Sequence, residues 1–196
     1  MSNKDIIKTN LTDSINLKTQ LLEDETVIQV IDEICQIIIK TFKNKSKILF
    51  CGNGGSAADA QHLAAEFSGR YYLDRNPLNA EALHTNSSFM TAVANDYSFD
   101  QVYARMIKAM GKQGDILIGL STSGNSKNIV NAFKQAKQLK LITIGLTGKD
   151  GGIMKDYCDY IIKIPSKDTP RIQECHLLIG HAICQIVEKE LFPKAQ

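Results

Sequence analysis

Between residues 23 and 43, Val27, Ile28, Val30, Ile31, Ile34, Cys35, Ile38 and Ile39 recur at helical spacing, which predicts an amphipathic helix. Its apolar face is broader than one layer of neighbours needs, so the helix is expected to pack on a second subunit as well as on its own domain. Upstream, residues 4–20 carry spaced Ile6, Ile7, Leu11, Ile15 and Leu17 among polar positions. Thr12 and Asp13 sit awkwardly in a long helix, so one helix or two short ones are both compatible with this stretch. Beyond residue 43 the period changes. The apolar run 48–51 leads into Gly52-Asn53-Gly54-Gly55-Ser56, which predicts a buried strand, a tight loop and a helix over about 57–68.

The same order then repeats. A strand over 115–120 precedes Ser121-Thr122-Ser123-Gly124-Asn125-Ser126 and a helix to about 139; a strand over 141–146 precedes Thr147-Gly148-Lys149-Asp150-Gly151-Gly152; a strand over 160–164 precedes Pro165 and a last helix over about 170–190. The intervening stretch, 71–110, is expected to hold a loop around 74–79, a strand near 80–83 and helices near 87–94 and 99–110. Strand–loop–helix units in series imply an α/β fold with a central parallel sheet between helical layers, preceded by N-terminal helices. In such a sheet ligands sit beyond the carboxyl ends of the strands, so loops 52–56 and 121–126 are expected to meet at one edge. No composition break divides the chain, and residues 1–196 are expected to form one domain.

Composition narrows the function classes. With 196 residues, 43% of them hydrophobic and 22% charged, the chain suits one domain with a full core. A net charge of +2 with scattered lysines makes no case for nucleic acid or an anionic membrane. The opening residues are polar with no apolar stretch behind them, so no secretory signal is expected. The longest apolar runs fall far short of the roughly 20 residues of a membrane span. Five cysteines at irregular spacings, without a CxxC pair, are expected to be reduced thiols in the cytoplasm.

Two constellations carry candidate chemistry. Ser121, Thr122, Ser123 and Ser126 bring four hydroxyls to a helix N-terminus, where free N–H groups and the helix dipole favour an anion such as phosphate. The loop lacks the lysine and spacing of a nucleotide-triphosphate loop, and Gly52-Asn53-Gly54-Gly55 does not fit a dinucleotide fingerprint. The same residue types also make ordinary caps and turns. His62 and Glu66 lie four apart on one face of a predicted helix; Gln173 and His181 lie eight apart on the last helix, roughly on one side. Two nitrogens and two oxygens from two helices could make a tetrahedral zinc site, although glutamine is an uncommon ligand and an i,i+4 His/Glu pair is commonly an exposed ion pair. His84 and His176 are expected to be interior residues.

The segments CGNGGSAADAQHLAAEFSGRY (51–71), ANDYSF (94–99), LSTSGNSKNIVNAF (120–133), LTGKDGG (146–152) and RIQECHLLIGHAICQIVE (171–188) together resemble the phosphoheptose isomerases, the sedoheptulose 7-phosphate isomerases of bacterial heptose biosynthesis. That family has the sugar-isomerase (SIS) fold, a three-layer sandwich. The resemblance implies that Asn53, Gly54 and Gly55 line the sugar, that Ser121, Thr122, Ser123 and Ser126 hold the phosphate, and that Asn95 and Asp96 contact the substrate. It implies Glu66 and His181 as the acid–base pair, with Glu66 and Gln173 also touching substrate. It implies one zinc ion per subunit held by His62, Glu66, Gln173 and His181. It further implies a homotetramer with active sites shared between subunits, in keeping with use of residues 4–43 in oligomerisation. The expected reaction moves a proton between neighbouring carbons through an enediol. The competing expectations are an isomerase of a shorter sugar phosphate and a non-catalytic SIS-fold protein that binds a partner such as a replication initiator.

Overall fold

The computed structural model describes residues 1–193. Ser2 opens α1 (Asn3–Glu23) by a reciprocal capping box with Asp5, and Asp24 begins α2 (Glu25–Lys43) by accepting from the N–H groups of Thr26 and Val27. Thr12 and Asp13 therefore lie inside one continuous helix. They are tolerated because within the chain α1 is largely exposed, with Leu17 and Leu21 buried, so its middle packs against no core of its own domain. Two hydrogen bonds and an ion pair tie α1 to the last helix: Ser14 donates to Glu174, the Arg171 guanidinium donates to the carbonyl of Asn10, and Lys18 lies 4.0 Å from the Glu174 carboxylate.

The chain continues through β1 (Ile48–Gly52), α3 (Gly55–Ser68), β2 (Ala80–Ala82), α4 (Ser87–Asp96), a 3-10 turn at Phe99–Gln101 and α5 (Val102–Met110). It then runs through β3 (Ile116–Ser121), α6 (Lys127–Gln138), β4 (Ile142–Thr147), a 3-10 turn at Ile153–Tyr157, β5 (Tyr160–Lys163) and α7 (Thr169–Leu191). All strands are parallel, in the order β2-β1-β3-β4-β5. The expected helix over 99–110 is split, its first turn being the 3-10 segment, and the helix expected from 57 begins at Gly55.

Alternation along the strands sorts the apolar residues into two cores. Ile48, Phe50, Ile116, Ile118 and Leu120 pack with α2, α3 and α7, while Leu49, Cys51 and Leu117 pack under α5 and α6. The result is the expected three-layer α/β sandwich. The strand order reverses at β1, whose successor β2 lies on one side and whose neighbour β3 lies on the other. The helices that follow β1 and β3, α3 and α6, therefore lie on opposite faces of the sheet and leave a crevice at the carboxyl edge.

His176 stands inside this core with its Nε2 3.2 Å from the carbonyl of Thr147, and burial pushes its pKa down from 6.5 to about 4. His84 is shifted the same way by burial. The unfolded chain binds these protons more readily than the folded one. Stability present above pH 6.5 is thus lost as pH falls toward 4, and Glu188 and Asp159, whose pKa values are lowered, add to the loss at the acid end of this window. Urea unfolding across this window is expected to show falling stability in the wild type and a flatter slope in His176→Gln.

Candidate active site

At the carboxyl edge, Ser121 closes β3 and the chain turns through Gly124, whose φ of +65° favours glycine and where a Cβ would lie 2.1 Å from the carbonyl oxygen of Gly151. A second loop braces this turn. The N–H groups of Gly148, Met154 and Ile153 donate to the carbonyl of Thr122, the carbonyl of Gly124 and the Asn125 amide oxygen, at 3.0, 2.9 and 2.9 Å. Ser121 donates to Ser126 at 3.2 Å, and Ser123 accepts from the N–H of Asn125 at 3.1 Å. Neither Ser126 nor Gly54 caps its helix through a side chain; Asn128 Oδ1 takes the N–H of Ile129 at 2.9 Å, and the first two N–H groups of each helix lie open beside the hydroxyls.

The two loops leave neighbouring strand ends, as their positions imply. Asn53 and Asn128 exchange amide hydrogen bonds of 2.9 and 2.8 Å, a clasp between the loop after β1 and the first turn of α6. Sequence reasoning missed Asn128. Its signal was an amide among the apolar positions of α6, because a buried amide must find a partner.

The second half of the site lies where α3 and α7 run side by side in the same direction. Gly180 faces Leu63 so closely that a Cβ on it would lie 2.5 Å from a Leu63 methyl. This approach brings His62 Nε2 to 2.8 Å from His181 Nε2 and 3.3 Å from Glu66 Oε1. One donor atom from each of the three residues lies within 4.8 Å of the others. Two imidazole nitrogens that face each other share one proton between two lone pairs, and a cation satisfies both. Ligand atoms on tetrahedral zinc stand about 3.3 Å apart, so the N,N,O set fits that ion with a small opening of the two rings.

Gln173 lies two turns before His181 on α7, with its amide over Gly55 and its Nε2 3.4 Å from Ser56 Oγ. It thus sits between the loop that starts α3 and the His/Glu cluster. Asn95 and Asp96 are exposed at the end of α4 and bonded to each other at 2.9 Å; among the described residues no hydrogen bond joins them to the loops. Tyr71, which the sequence reading passed over, stacks on the His181 imidazole at 5.7 Å between centroids and 28° between planes.

Residues 12–148 match the SIS domain family. The chain is 52% identical over 189 residues to the phosphoheptose isomerase of Clostridium acetobutylicum, covering 96% of each chain. It belongs to the phosphoheptose isomerase family of SIS-domain proteins. Its fold superposes on the solved phosphoheptose isomerase of Neisseria gonorrhoeae with a TM-score of 0.90 at 38% identity, covering 96% of this chain and 100% of that one. For the phosphoheptose isomerase of Francisella tularensis the TM-score is 0.93 at 33% identity, again over 96% and 100%. Within this phosphoheptose isomerase architecture, α7 lies beyond the segment matched to the SIS domain, yet it supplies His181, Gln173 and Glu188.

Gly180→Ala is expected to force α7 away from α3, with a loss of about 1–3 kcal/mol of stability. Thermal unfolding measures the loss, and adding Leu63→Val is expected to recover part of it.

Proposed function

We propose that this protein is an aldose–ketose isomerase that interconverts sedoheptulose 7-phosphate and D-glycero-D-manno-heptose 7-phosphate. The observation that carries this is the joining of a carboxylate and two imidazoles on the α3–α7 seam to a hydroxyl-rich anion loop at the same sheet edge, in a chain half identical over its length to phosphoheptose isomerase. The rise of α3 from Gly55 to His62 is about 10 Å. Phosphate-holding and proton-transferring groups thus stand apart, as an extended phosphorylated sugar requires.

Ser121, Thr122, Ser123 and Ser126 hold the phosphate with the first turn of α6 and supply orientation remote from the reacting carbons. Asn53, Gly54, Gly55, Asn95, Asp96 and Gln173 contact the sugar. Glu66 and His181 form the proton-transfer pair: one takes the proton from the carbon beside the carbonyl, and a proton returns to the neighbouring carbon through the enediol. Zinc bound by His62, Glu66, Gln173 and His181 would supply Lewis-acid polarisation of the sugar oxygens.

Three further assignments accompany this function. The chain is a homotetramer, with α1 and α2 in subunit contacts; exposed Ile7, Leu11, Ile15, Leu22, Ile28 and Leu178, beside an apolar groove of about 530 Å³ among α1, α2 and α7, support that use. It works in the cytoplasm, in keeping with its free cysteines; among the described residues no helix is long and apolar enough to cross a membrane. Its product enters the synthesis of nucleotide-activated heptose for lipopolysaccharide or capsule.

The purified protein is expected to convert sedoheptulose 7-phosphate to an aldose 7-phosphate. Glu66→Gln is expected to lower kcat about a hundredfold or more, and near-wild-type turnover would remove Glu66 from the mechanism. Ser123→Ala is expected to raise KM by roughly five- to tenfold with little change in kcat.

A further inference from the structure

Past the His/Glu cluster, α3 ends at Ser68 and the chain turns back through residues 69–76. Burying a charged pair here is costly, since two apolar residues of the same volume fill such space more cheaply. Nevertheless, Arg75 and Glu188 lie here with side chains only 1% and 3% exposed, joined at 2.9 Å. Their hydrogen bonds show what an apolar pair would leave undone.

The Arg75 guanidinium donates to the carbonyls of Glu66, Phe67, Gly69 and Asn76 at 2.8, 2.7, 3.2 and 3.1 Å. The carbonyls that the end of α3 leaves open are thus held by a fixed cation at the negative end of the helix. The Glu188 carboxylate accepts from the N–H groups of Tyr71, Tyr72 and Leu73 at 3.2, 2.8 and 3.0 Å. Burial alone would raise the Glu188 pKa, but these N–H groups and Arg75 outweigh it and keep the carboxyl ionised.

Both proton-transfer candidates are reached from this pair. Arg75 grips the backbone of Glu66 itself. Glu188 is two turns beyond His181 on α7 and on the same face. The first residue whose N–H it holds, Tyr71, lays its ring on one side of the His181 imidazole. His62 meets that imidazole edge-on at 5.1 Å and 73°. His181 thus has Tyr71 against a face of its ring and His62 at its Nε2 edge.

We propose that the Arg75–Glu188 pair, acting through Tyr71, is the positioning device that aims Glu66 and His181 at each other and at the substrate. This rests on the assignment of Glu66 and His181 as the proton-transfer pair. None of the three residues touches the anion loop, so the device sets the chemical step and leaves phosphate anchoring alone.

The test is steady-state kinetics on sedoheptulose 7-phosphate with the full-length protein and its variants, beside thermal unfolding. Tyr71→Ala is expected to lower kcat by roughly tenfold or more while KM stays within about threefold, and Tyr71→Phe, which keeps the ring, recovers kcat. Glu188→Gln is expected to change kcat in the same direction and further. Tyr71 is only half-buried, so its variants decide the matter even where Glu188→Gln does not fold. Wild-type kcat in Tyr71→Ala, or losses in kcat and KM together that follow the unfolding temperature, would overturn the proposal. A wild-type protein without turnover would overturn the functional assignment first, and this inference with it.

Discussion

The absence of a side chain at Gly180 sets how closely α7 lies on α3, and the chemistry of the molecule depends on that spacing. Along one seam the two helices place Gln173 over Gly55, His181 against His62, and Glu188 against the turn that follows α3. Each contact is a polar one that a wider separation would break, and none is available to either helix alone. The seam lies over the sheet face that carries Ile48, Phe50, Ile118 and Leu120, so the core sets the height at which both helices ride.

The anion loop is built by a different constraint, the reversal of strand order at β1. Ser126 does not cap α6 through its side chain, so the hydroxyls at Ser121–Ser126 are not spent as ordinary capping groups. The brace from Gly148, Ile153 and Met154 holds the loop's carbonyls, and the Asn53–Asn128 clasp joins the first turn of α6 to the loop that starts α3. Because α3 begins at that clasp and carries His62 and Glu66 farther along, the hydroxyl-rich loop and the His/Glu cluster are parts of one arrangement.

Much of this was legible from periodicity. The strand–loop–helix units, the parallel sheet, the placement of loops 52–56 and 121–126 at neighbouring strand ends and the broad apolar face of α2 follow from apolar spacing and turn residues. The site divides differently. The i,i+4 pair His62–Glu66 was visible as a helix face, but nothing in spacing joins it to His181, 119 positions away; family resemblance made that link before the geometry did. Thr12 and Asp13 argued against a long first helix on propensity, but exposure and a strong capping box outweighed them. Asn128, Tyr71, Arg75 and Glu188 were passed over because each acquires its role from a partner on another element. A buried ion pair between positions 75 and 188 has no local signature.

Zinc titration into metal-free protein, followed by calorimetry, tests the central claim that the α3–α7 seam makes one cation-holding, proton-transferring centre. The account predicts one ion bound per chain, lost in both His62→Ala and His181→Ala while each variant stays folded. A wild-type protein that takes up no zinc, or variants that bind it as tightly as the wild type, would contradict it.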